Sequence, residues 1–118
     1  MPRFVILQHD HPELHWDLML QAGDKLRTWR LAQAPDKPGA EIVATAIGDH
    51  RLMYLDYEGP VSGGRGCVVG WDKGTYWEEI PRTVRSDQRV VVGLTGERVH
   101  GKAVLERISE DRWIFQLT

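Results

Sequence analysis

The sequence predicts an all-β fold: a compact antiparallel β-barrel or closed sandwich of about eight or nine short strands, with at most one short helical turn. Three observations lead there. Short runs rich in β-branched and aromatic residues recur along the chain, bounded by Gly, Asp, Pro or Ser clusters. No segment sustains a 3.6-residue apolar period with caps. "QAGD", "WDKG", "LTGERVHG" and "ISEDR" are turn signals spaced as hairpins require.

The elements follow in chain order. "RFVILQ" (Arg3 to Gln8) is a short apolar strand. "HWDLMLQ" alternates: Trp16, Leu18 and Leu20 form one row, predicted to face the core, and His15, Asp17 and Met19 form the other. "QAGD" turns this strand into "KLRTWRL" (Lys25 to Leu31). "EIVATAI", "GCVVGW", "GTYWEEI", "RVVVGL", "GKAVLERI" and "RWIFQL" each read as a further strand. "HRLMYLDYEG" (His50 to Gly59) has room for the helical turn. "AQAPDKPGAE" (Ala32 to Glu41) and "GPVSGGRG" (Gly59 to Gly66) are expected to be the flexible pieces.

The 118 residues suit one domain spanning 1–118, long enough for a single core. A net charge of −2 argues against a generic nucleic-acid binder, which carries a strong basic excess. No apolar run approaches the roughly 20 residues of a membrane helix, and the N-terminus does not read as a signal peptide. A cytoplasmic protein without membrane attachment is expected. The one cysteine, Cys67, excludes an intramolecular disulfide and is read as a small buried strand residue before a reactive thiol.

The chemistry concentrates in "QHDHPELHWDLML", which places three of the five histidines within seven positions. His15 and Asp17 share a strand face, and a loop carrying His9 can fold back beside them. Two imidazole nitrogens and a carboxylate oxygen form a facial set suited to Mn²⁺, Zn²⁺, Co²⁺ or Fe²⁺, with positions open for water or substrate. The competing account is a solvated polar strand face, with His11 as either a rival ligand or a loop histidine. A cupin-like reading of His9, Asp10, His11 and Glu13 is weaker, because the downstream glutamate and histidine spacing is poorly met.

Longer motifs carry a resemblance. "FVILQHDHPELHWDLML", "TWRLAQAP", "GDHRLMYLDYEGPV", "VVGWDKGTYW" and "LTGERVHGKAVLERI" occur in an order that resembles the 3′-phosphoesterase domain of bacterial DNA ligase D. The resemblance covers nearly the whole chain. It implies a compact β-barrel that uses a divalent metal, typically manganese with zinc or cobalt as substitutes. It further implies removal of a 3′ phosphate or 3′ ribonucleoside from DNA ends in break repair, in the company of DNA-repair proteins. Carried over by position, His9, His15 and Asp17 match metal ligands, His50 an essential histidine and Tyr54 an essential tyrosine. Asp10 then orients a ligand histidine or closes a turn, and Glu58 caps the turn of "DYEG".

The departures concern phosphate-binding cations. Met19 stands where the family has an arginine, Gln33 where it has a lysine, and Ile42 is aligned with another arginine. Arginine chelates phosphate with a fixed fork of donors and methionine has none. Arg30, Arg51 and Arg65 are the candidates to compensate as substrate-binding residues. Two readings follow: a metal-dependent phosphoesterase of nucleic-acid 3′ ends, with weakened or altered activity, or a non-catalytic metal-binding relative that recognises a ligand or partner. His50 and Tyr54 are expected to reach the metal ligands over the barrel mouth.

Overall fold

The computed structural model describes all 118 residues. Nine strands form one antiparallel sheet: β1 (Arg3–His9), β2 (His15–Ala22), β3 (Lys25–Leu31), β4 (Glu41–Arg51), β5 (Gly59–Pro60), β6 (Cys67–Glu78), β7 (Arg89–Gly96), β8 (His100–Ser109) and β9 (Arg112–Leu117). The order is β1-β2-β3-β4-β9-β8-β7-β6-β5, and β1 also pairs with β6. That pairing closes eight strands into a barrel and leaves the two-residue β5 on the flank of β6. Closure removes most of the exposed sheet edge. The single helical turn is a 3-10 turn over Leu52–Leu55.

Two boundaries differ from the sequence reading. "GCVVGW" and "GTYWEEI" belong to one long strand, β6, which bends at a register shift opposite Ile6 and Leu7. The "WDKG" between them is therefore not a hairpin turn. Asp72 is instead a buried anchor. Its carboxylate accepts the backbone N–H groups of Lys73, Glu97, Arg98 and Val99 at 2.8, 2.9, 3.0 and 2.7 Å. It thereby fastens the β7–β8 turn to β6. A Cβ on Gly96 would meet Asp72 Oδ2 at 2.4 Å, which explains a glycine there. The second difference is β4, which runs to Arg51 and so carries "GDH" on a strand.

Alternation sorts the side chains into two apolar bodies. The barrel interior holds Phe4, Ile6, Leu18, Leu20, Trp29, Leu31, Trp113 and Phe115 among its residues. Trp29 and Trp113 meet edge to face at 5.5 Å. Arg27 lies over both rings, at 4.6 and 5.2 Å, and donates to the carbonyl oxygens of Val84 and Ser86. Burial pushes the Arg27 guanidinium below its ordinary pKa. The second body is on the outside of the barrel, where Val5, Leu7, Met19, Leu26, Leu55 and Val68 pack together. The segment between β4 and β6 folds back over the outer wall to cover them. Arg3 pins that segment through a paired contact to Asp56, at 2.8 and 3.2 Å, which holds the Asp56 carboxyl below its ordinary pKa.

Cys67 is exposed rather than buried, because it opens β6 where only β5 flanks it.

Candidate metal centre and substrate cavity

The outward rows of β1 and β2 build the site. Outward alternation on β1 gives Val5, Leu7 and His9, and on β2 His15, Asp17 and Met19. The β1–β2 register sets His9 directly opposite His15 and Leu7 opposite Asp17. His9 and His15 therefore meet edge to face, with ring centroids 4.8 Å apart. Asp17 Oδ2 lies 3.7 Å from His9 Nδ1, and Asp17 Oδ1 lies 3.3 Å from His15 Nε2. One donor atom from each of the three residues falls within 4.8 Å of the others.

Backbone carbonyls set the imidazole orientations. His9 Nε2 sits 2.7 Å from the Arg65 carbonyl oxygen, and His15 Nδ1 sits 2.8 Å from that of Glu13. A ring nitrogen facing a carbonyl must carry the proton. His9 Nδ1 and His15 Nε2 are then bare lone pairs, both aimed at Asp17. His15 is 4 % exposed and Asp17 3 %, and neither His15 Nε2 nor Asp17 Oδ1 has a hydrogen-bond partner. Acceptors converging in a dry place repel unless a cation lies among them. A borderline divalent ion fits this donor set, and the carbonyl contacts are the outer support such ligands normally have.

His50 and Tyr54 join the same cavity, a space of about 380 Å³ also lined by Leu7, His9, Asp17, Met19, Arg30 and Arg65. The route differs from the expected one. The cavity opens on the outer wall, under the segment from β4 to β6, and not at the barrel mouth, because the interior is filled by the core. His50 Nδ1 sits 2.9 Å from the Gly48 carbonyl oxygen, which frees Nε2. The His50 and Tyr54 rings are edge to face at 5.6 Å.

The other candidates separate. Arg30 lines the cavity. Arg65 does too, but its guanidinium is bound by the Ser62 carbonyl and hydroxyl. Arg51 is exposed beside Lys25 at the end of β4 and does not line the cavity, because β4 turns it away from His50. His11 is on the rim. Asp10 makes no hydrogen bond or ion pair to a histidine. Its Oδ1 accepts the Cys67 N–H at 2.9 Å and ties the loop after β1 to β6. Glu58 accepts the Gly70 N–H at 2.5 Å, away from its own turn. Gln33 is exposed outside the cavity. Ile42 faces the barrel interior, so the position aligned with a family arginine is on the wrong side of β4 to meet a substrate.

The sequence reading missed the apolar floor of Leu7, Met19, Ile47, Val61 and Val68. Residues from β1, β2, β4, the segment after β5 and β6 form it, so no local pattern signals it. It also missed the carbonyls of Glu13 and Arg65, since any residue type supplies a carbonyl.

The DNA Ligase D 3′-phosphoesterase domain family matches residues 7–107. The multifunctional non-homologous end joining DNA repair protein LigD of Mycobacterium tuberculosis is 33% identical over 115 residues, which is 94% of this chain and 15% of that protein. The multifunctional non-homologous end joining protein LigD of Pseudomonas aeruginosa is 30% identical over 106 residues, 85% of the chain and 12% of that protein. Its counterpart in Mycolicibacterium smegmatis is 28% identical over 123 residues, 95% of the chain and 16% of that protein. The chain thus spans about one sixth or less of the length of these relatives.

Proposed function

Because the chain belongs to the DNA ligase D 3′-phosphoesterase domain family, we propose that it is a divalent-metal-dependent phosphoesterase of DNA 3′ ends, acting in strand-break repair. Removal of a 3′ phosphate or a 3′ ribonucleoside is the proposed reaction. The observation that carries the reading is the convergence of His9, His15 and Asp17 at the wall of a cavity that His9 and Asp17 line together with His50 and Tyr54.

His9 Nδ1, His15 Nε2 and Asp17 would hold the ion, with manganese the first expectation and zinc or cobalt as alternatives. When bound, such an ion supplies charge to a phosphoryl oxygen and lowers the pKa of water. The carbonyls of Arg65 and Glu13 keep both imidazoles in the coordinating tautomer. His50, held by Gly48, presents Nε2 to the cavity, where its protonated form can give a proton to the leaving oxygen. Tyr54 has a hydroxyl that can donate to a phosphate oxygen. The apolar floor keeps the site poor in water, which strengthens each of these contacts.

The test is cleavage of labelled primers ending in a 3′ phosphate or a 3′ ribonucleotide, with and without Mn²⁺. Metal-dependent trimming is expected. It should be abolished in Asp17→Ala and reduced by about 10²-fold in His50→Gln, the usual scale for a general acid. A second reading, a metal-binding module without catalysis, is favoured by one observation: Met19, 1 % exposed, puts a buried thioether where the sequence resemblance implies an arginine. Metal-dependent binding of the same primers without cleavage would select it.

A further inference from the structure

We infer that Arg30 is the residue that grips the substrate phosphate, and that it holds a phosphodiester with a group on each side in preference to a terminal phosphate. This rests on the phosphoesterase reading and narrows its substrate. Arg30 stands opposite Asp17 in the β2–β3 register and opposite Thr45 in the β3–β4 register. All three therefore share the outer wall of the barrel.

Asp17 turns toward the histidines and not toward Arg30. The Arg30 Nε is buried without a hydrogen-bond partner. A guanidinium N–H left unmet in a dry place is costly, and its planar fork matches two phosphate oxygens. Arg65 is engaged with Ser62, and Arg51 lies outside the cavity. Arg30 is thus the cavity's arginine without an oxygen partner, one strand away from Met19.

Its position also decides what surrounds the phosphate. Arg30 and Pro12 line two neighbouring cavities, of about 380 and 220 Å³. One runs toward His50 and Tyr54. The other runs along Leu14, Val43 and Thr45. A phosphate held at the junction has room for a substituent on both sides. A terminal phosphate leaves one cavity unused, and its second negative charge meets Met19 instead of a cation. A diester carries one charge and fills both cavities. Hydrolysis then proceeds by formation of a bond from a water oxygen to phosphorus. The bond to the O5′ of the terminal ribonucleoside breaks, that oxygen takes a proton, and the DNA keeps the phosphate on its 3′ end.

The test uses the full chain with Mn²⁺ and 5′-labelled primers ending in a 3′ ribonucleoside or a 3′ phosphate. The ribonucleoside end should have the higher kcat/KM, by about tenfold or more, with 3′-phosphate DNA accumulating as product. Arg30→Ala should lower kcat/KM on that end by about thirtyfold, chiefly through KM, with metal content unchanged. Arg30→Lys should recover part of the loss. Thr45→Trp, which fills the second cavity, should slow the ribonucleoside end more than the phosphate end. Equal kcat/KM on the two ends, or Arg30→Ala within about twofold of the parent on a ribonucleoside end, overturns the inference. If neither end is cleaved, the phosphoesterase reading fails, and Arg30 is judged by binding. The affinity for the ribonucleoside-ended primer in EDTA must then fall by about tenfold in Arg30→Ala, and an unchanged affinity overturns the inference.

Discussion

His15 Nε2 and Asp17 Oδ1 face one another across 3.3 Å on the outer wall of the barrel, and no hydrogen bond joins them. With Nδ1 spent on the Glu13 carbonyl, His15 offers a lone pair to a carboxylate oxygen. A cation between them converts repulsion into two bonds. Any species that binds the folded chain and not the unfolded one raises stability, by about 2.7 kcal/mol at a hundredfold excess over Kd. Mn²⁺ or Zn²⁺ should therefore raise the melting temperature, and EDTA should reverse the rise. His15→Ala and Asp17→Ala should lose both the shift and the bound metal, measured by thermal melts and elemental analysis. A full metal complement in either variant would contradict the site.

Met19 separates the cost of folding from the benefit to chemistry. It is packed with Val5, Leu7, Leu26, Leu55 and Val68, yet it also lines the cavity beside His9 and Asp17. Met19→Arg should destabilise the protein by about 1–3 kcal/mol, because a longer side chain enters a packed cluster. The guanidinium escapes burial only by reaching into the cavity. There it adds the fork of donors that the sequence resemblance implies at this position, and cleavage of a 3′-phosphate end should rise at least about tenfold, worth roughly 1.4 kcal/mol of barrier. A variant that folds and binds metal but is no faster would show that the missing clamp does not limit the rate. Denaturant melts and initial rates on the same preparation check both halves.

Tyr76 predicts the alkaline limit of the fold. Its hydroxyl, inside the barrel, donates to the Gln21 carbonyl oxygen at 2.5 Å. Burial, with Glu78 adding repulsion, pushes its pKa up to about 12. The folded pKa lies above the unfolded value of about 10, so the folded chain holds the proton more tightly. This contribution is complete below pH 10 and is lost between about pH 10 and 12. Tyr76→Phe should lower stability at neutral pH by about 1 kcal/mol, the worth of one hydrogen bond. It should also flatten the fall between pH 10 and 12 in urea melts. An unchanged alkaline slope would place the titration elsewhere.

Strand alternation made much of this protein legible in advance. "HWDLMLQ" reveals from its own period that Leu18 and Leu20 enter the core and that His15, Asp17 and Met19 share the other face. The period is a local property of extended backbone, and no long-range contact changes it. The turn signals after Ala22 and Ser109 are equally local. The grouping of His15 with Asp17 was legible for the same reason, and the structure adds His9 beside them.

The tertiary structure alone decided the rest. That polar row was open to two accounts, a solvated face or a ligand set. All three of its residues are buried, and the segment from β4 to β6, more than thirty residues further along, packs across the outer wall over Met19 and its apolar neighbours. "GCVVGW" and "GTYWEEI" merge into β6 because β1 closes the barrel against both halves, a pairing between distant stretches. Asp72 reads as a turn residue and is an anchor for a hairpin 25 residues away. Arg30 acquires its place opposite Asp17 only through the register of β2 with β3. A sequence fixes which way each side chain points from its own strand. What covers that strand, and which neighbour meets it, depends on closure of the whole sheet.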